Sequence, residues 1–166
     1  MKKLLLLFSL VVLLSACEGN QGPPGVNIVA QSFERTVDFG GPDYTTFIPF
    51  PLGIEAFPND MVLVYRLQDE VPAANGGTVD VWTLLPQIFY TTTGEEFQYN
   101  FNATSGDVEL LMDAPDRTLL DVIEDRFVLG QTFRIVVLPV SYINGVDLSD
   151  MNAVMSAAGL TNADIQ

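Results

Sequence analysis

Apolar and polar positions alternate in short runs along most of the chain. In "EEFQYNFN" (95–102), Phe97, Tyr99 and Phe101 fall on one face, with Gln98 and Asn100 on the other. "DVELLM" (107–112) repeats the pattern with Val108, Leu110 and Met112. "NIVAQSFERTVDF" (27–39) marks Ile28, Ala30, Phe33 and Val37 as apolar positions, and "TTFIPFPL" (45–52) and "MVLVYRL" (61–67) follow. A period of two predicts half-buried strands. "TVDVWTLLPQIFYTTT" (78–93) is long, and Pro86 interrupts it. Proline cannot donate to a ladder, so a bulge or a sheet edge is expected there. "TFRIVVLPV" (132–140) is the strongest apolar run and predicts a central strand.

Turn signals separate these runs: "GGPD", "FPND", "ANGG", "TTGEE", "ATSGD" and "DAPD". Short strands spaced in this way, without long helices between them, predict an all-β fold, an immunoglobulin-like β-sandwich. "LLDVIEDRF" (119–127) reads as a helical turn. One helix is expected near the C-terminus. "DMNAVMSAA" (150–158) offers about two and a half turns, Asp147 or Ser149 as cap, and Gly159 at the C′ position. Its apolar face carries Met151, Val154 and Met155, expected to pack on one end of the sandwich.

The N-terminus breaks the pattern. Lys2 and Lys3 precede an apolar stretch at 4–14 that matches the h-region of a signal peptide. About 20 apolar residues are needed to span a bilayer, so this run is too short for a transmembrane helix. Leu14-Ser15-Ala16-Cys17 follows. This quartet resembles the lipobox of bacterial lipoproteins, which implies cleavage before Cys17 and lipidation of its thiol. Cys17 is the sole cysteine, and a thioether-linked lipid removes the liability of a free thiol in an oxidising compartment. Three acyl chains would make release very slow, since each buried methylene contributes about 0.8 kcal/mol. The organisation read from the sequence is therefore a lipoprotein signal peptide at 1–16, a lipidated Cys with a Gly/Pro-rich spacer at 17–26, and a β-sandwich domain at 27–166. Three Gly-X-Y triplets run from Gly19 until Ile28 breaks the period. A collagen triple helix needs a long run of such triplets, so these are read as an extended polyproline-type spacer, and the domain as a monomer.

Charge narrows the partners. Lys2 and Lys3 leave with the signal, so Lys+Arg falls from 7 to 5 against 21 Asp+Glu, and the formal charge moves from −14 to −16. Phosphate recognition needs basic clusters, and none is present, which argues against nucleic acid. A hydrophobic content of 48% favours a folded core over disorder.

Chemistry is narrowed by subtraction. The chain has no His, and no Lys after position 3. His-dependent triads, His-ligated metals, Schiff bases and P-loop phosphate binding are therefore excluded. A lipidated Cys17 leaves no thiol nucleophile. Carboxylates remain, and a glycosidase needs only two at a suitable separation. With 21 acids some pair meets that spacing by chance, so a solvated acidic surface is the expected reading. A cleft with two close carboxylates, one of raised pKa, would mark the hydrolase alternative.

No cofactor is expected. Calcium is the one candidate, because it takes oxygen ligands. "INGVDLSDMN" fails the register of an EF-type loop. Asp113 and Asp116, with the cluster Asp121, Glu124 and Asp125, are the candidate residues for an irregular site. Trp82 lies opposite in phase to Val79, Val81 and Thr83 and is read as half-buried at the sandwich edge. Its alternative role, shared with Tyr44, Tyr90 and Tyr142, is stacking on a sugar or a partner.

The lipobox Cys17, the Gly-Pro-Pro spacer, "DVWTLLPQ", "FQYNF", "RIVVLPV" and "DLSDMNAVM" together resemble a group of small lipoproteins of Bacteroidetes-type bacteria, often labelled collagen-like from their spacers. The resemblance covers nearly the whole chain. It implies an outer-membrane lipoprotein with a compact domain, anchored by lipid and facing either the periplasm or the cell surface, and carries no established activity. The expected function is that of a binding or structural module of the envelope, with an envelope protein or a glycan as partner. A carboxylate-dependent hydrolase and a calcium-stabilised adhesion domain are the alternatives.

Overall fold

The computed structural model describes residues 30–166. Cys17, the signal peptide, the Gly-Pro-Pro spacer and the expected domain boundary at residue 27 lie outside the described residues. Eight strands form two antiparallel sheets: β1 (Gln31–Val37), β2 (Thr45–Pro49), β3 (Asp60–Pro72), β4 (Thr78–Leu84), β5 (Gln87–Tyr90), β6 (Glu96–Ala103), β7 (Asp107–Asp113) and β8 (Gln131–Pro139). Sheet A has the order β1-β8-β3-β4 and sheet B the order β2-β7-β6-β5. A 3-10 turn at Arg117–Asp121 and a one-turn helix α1 (Asp125–Val128) lie between β7 and β8, and helix α2 (Met151–Ala157) lies near the C-terminus. The all-β sandwich with a short C-terminal helix is the expected architecture. It is shared with immunoglobulin-like domains, whose strand order is their own. Here the ladders are nested, with β1 on β8 in one sheet and β2 on β7 in the other.

The patterns explain the placements. Phe97, Tyr99, Val108, Leu110 and Met112 point inward from sheet B and meet Phe33, Val64, Phe133, Ile135 and Val137 of sheet A. Edge-to-face ring pairs such as Phe97–Phe127 at 4.9 Å and Tyr99–Phe133 at 6.2 Å knit this core. β8 is buried along almost its whole length and is central, as its apolar run predicts. Pro86 sits where the chain leaves β4, an edge of sheet A, for β5, an edge of sheet B.

The structure corrects the expected position of the helix. Met151, Val154 and Met155 are its buried face, but they cover the outer face of sheet A, on Leu63, Tyr65, Val136 and Leu138. β3 and β8 thus carry apolar residues on both faces, and a second core lies outside the sandwich. The cap is Asp150, whose carboxylate accepts from Asn152 N at 2.9 Å and Ala153 N at 3.2 Å. Asp147 instead holds the preceding turn through Ser149.

Strand registers give the molecule two ends. β1 enters at one of them, where Gln31 pairs with Val137 and its side chain donates to Gly53 O at 3.0 Å. That proximal end is closed by loops 50–59 and 104–106. The opposite, distal end carries loops 38–44 and 91–95 and the segment 114–130.

Candidate functional site

Seven of the nine side chains named from the sequence as binding or metal candidates fall at the distal end, and Trp82 and Tyr142 do not. Loops 38–44 and 91–95, segment 114–130 and the strand ends beside them bear nine carboxylates: Asp38, Asp43, Glu95, Glu96, Asp113, Asp116, Asp121, Glu124 and Asp125. The two arginines there are both exposed and locally paired, Arg117 with Asp113 at 3.5 Å and Arg126 with Glu124 at 2.8 Å. Of the other three, Arg66 and Arg134 are buried. The excess negative charge at this end is therefore little compensated.

The candidates do different work within this rim. Tyr44 is a core residue. Its ring is buried, and its hydroxyl donates to Asp121 Oδ1 at 3.1 Å. Burial first, then the Asp121 bond, push that hydroxyl's pKa up. Tyr90 is exposed at the end of β5, with its hydroxyl 3.3 Å from Glu96. Asp113 accepts from Ala114 N. Asp116 caps the 3-10 turn through Thr118 N at 3.0 Å and Thr118 Oγ1 at 2.7 Å. Asp125 begins α1. The four aspartates are thus spread over separate local motifs. Among the described residues, no three His, Cys, Asp or Glu side chains stand together as a group able to hold a metal ion.

The structure sets one candidate, Asp116, among residues that the sequence reading passed over as turn and helix material. Glu95, Glu96, Pro115, Asp116, Thr118, Leu119 and Val122 line a hollow of about 350 Å³. Val122 is 78% exposed on its rim. Glu95 accepts from the hydroxyls of Thr91 and Thr93 within the turn 91–95. These bonds, Thr91 first, hold its pKa below the usual carboxylate range, and Thr118 does the same for Asp116. Two fixed anions thus stand beside exposed aliphatic surface. The signal in the sequence was the threonine spacing ahead of the acid in "TTTGEE".

Trp82 lies elsewhere, on the outer face of sheet A, partly buried in the second core as its phase suggested. The Arg134 guanidinium stacks 4.3 Å above its ring and bonds Glu34 Oε1 at 2.8 and 2.6 Å. Tyr142 packs against that same core. Beside Trp82, a smaller hollow of about 230 Å³ is lined by Asp80, Asn152 and Asn162 among others.

Among the described residues, the pKa values of Glu95, Asp116, Asp147 and Asp164 are displaced, and all four move down. A general acid working near neutral pH needs the opposite displacement. No family model, no curated protein and no solved structure matches this chain.

Proposed function

We propose that the protein is a lipid-anchored module of the bacterial outer membrane that binds a cationic envelope partner at its acidic distal rim and performs no bond-breaking chemistry. The lipobox at Cys17 and the resemblance to small collagen-labelled lipoproteins support the anchor. The observation that carries the binding reading is the distal hollow, where Glu95 and Asp116 stay ionised beside exposed Val122 and half-buried Leu119. Exposed ion pairs contribute only about 0–1 kcal/mol each, so useful affinity also needs the apolar contact that Val122, Leu119 and Tyr90 offer. A basic, amphipathic polypeptide segment fits both requirements. The downward displacement of Glu95 and Asp116 keeps both anionic beside the hollow, which supports the binding reading.

Pull-down from envelope extracts tests this reading. Partners are retained at low salt and lost as salt rises, and a panel of glycoside, ester and peptide substrates shows no turnover. Turnover abolished by changing a single Asp or Glu would overturn it in favour of the hydrolase.

A further inference from the structure

The proximal end has a different surface. Phe50 N bonds Gly106 O, and Ala56 N bonds Ser105 O. Ile54 and Ala56 plug the main core. Loop 50–59 is thereby fixed with two tight turns facing outward. In the first, Ile54 N returns to Pro51 O at 3.0 Å, and Gly53 takes φ +90°. This is a type II turn with glycine at its third position. Its second position is Leu52, which is 101% exposed. In the second turn Asp60 N returns to Phe57 O at 2.9 Å, and Phe57 is 43% exposed. Turn apices ordinarily favour Gly, Pro, Asn, Asp and Ser, and a fully exposed leucine there contributes nothing to the core. The same end receives the chain from its N-terminal side, and Gln31 is hydrogen-bonded to Gly53 within the very turn that displays Leu52.

We infer that Leu52 and Phe57 rest on the membrane surface, so that the domain stands on its proximal end and turns its acidic rim away from the lipid. The inference rests on the lipid anchor at Cys17 proposed above. Twelve residues separate Cys17 from Ala30, and even fully extended they span at most about 40 Å. A tether of that length keeps loop 50–59 within reach of the bilayer and supplies a high effective concentration. Each side chain alone gives about a tenfold gain in partition, too little for a free domain but enough to orient a tethered one. Glu55, Asp60 and Asp107 also lie at this end, so the contact suits an uncharged headgroup layer and is weakened by anionic lipid.

The full chain, lipidated at Cys17 and reconstituted into phosphatidylcholine vesicles, provides the test. A dye is attached at Asn59→Cys, in the loop that carries Leu52 and Phe57, in one sample and at Val122→Cys in another; both sites are exposed, so folding is not at stake. Nitroxide-labelled lipid chains should quench the first dye strongly and leave the second unaffected, and phosphatidylglycerol should reduce the quenching of the first. A protein that floats with the vesicles but shows equal quenching at the two sites overturns the membrane contact alone. A protein that stays in the soluble fraction overturns the anchor, and the contact with it.

Discussion

Arg66 is the residue whose chemistry is least ordinary. Its guanidinium is buried, and among the described residues no carboxylate pairs with it. Nε and Nη2 donate to Gln131 Oε1 at 2.9 and 2.7 Å, and the charge lies 5.0 Å from the ring centroids of both Phe89 and Tyr99. Burial lowers its pKa, with Tyr99 opposing. The Tyr99 hydroxyl is pushed up to about 12 by burial, against the pull of Arg66. Gln131 is therefore the group that satisfies the cation, and it is itself held by Arg126 O and Leu129 O. Replacing Gln131 by Leu strands a buried charge and is expected to cost about 3 kcal/mol in urea unfolding. Arg66→Met removes the charge together with its need and should cost less. At the rim, Glu95 has a folded pKa depressed by Thr91 and Thr93. Its favourable contribution is present above the unfolded value of about 4.3 and is lost as pH falls through the folded one. In Thr91→Ala, an NMR titration should show the Glu95 midpoint move back up.

At the scale of elements, α2 shows both what could be read from the sequence and what could not. Its existence and its buried face of Met151, Val154 and Met155 follow from spacing. The cap did not, because Asp147, Ser149 and Asp150 all suit an N-terminus and only the backbone path selects Asp150. Asp150→Ala should cost about 1 kcal/mol in thermal or urea unfolding, and Asp147→Ala should act on the preceding turn alone. Placement of α2 over sheet A was legible in principle. "MVLVY" and "RIVVLPV" lack alternation, and a strand without alternation is buried on both faces, which demands a covering layer. The inward-facing residues of β6 and β7 were fully legible, since their period of two is clean. The distal hollow was not legible. It joins loop 91–95 to segment 114–122, and only the β6–β7 ladder brings the two together. Tyr44, whose alternative role in the sequence reading is stacking on a sugar or a partner, is drawn into the core by tertiary packing.

At the scale of the whole molecule, the sandwich separates its functions by end. Carboxylates gather at the end farthest from the start of β1, beside exposed Val122, while Leu52 and Phe57 are exposed in the turns where β1 begins. The fold is the scaffold that makes this polarity rigid, with one core between the sheets and a second beneath α2. The most direct measurement is the anisotropy of a labelled amphipathic Arg/Leu peptide titrated with the full chain in nonionic detergent, at low and high salt. Binding should weaken steeply with salt, and the double change Glu95→Gln with Asp116→Asn should weaken it by about tenfold, roughly 1.4 kcal/mol. Glu55→Gln, at the opposite end, should leave it unchanged. Affinity that ignores salt, or that survives loss of both rim carboxylates, would contradict the assignment of the distal rim as the binding site.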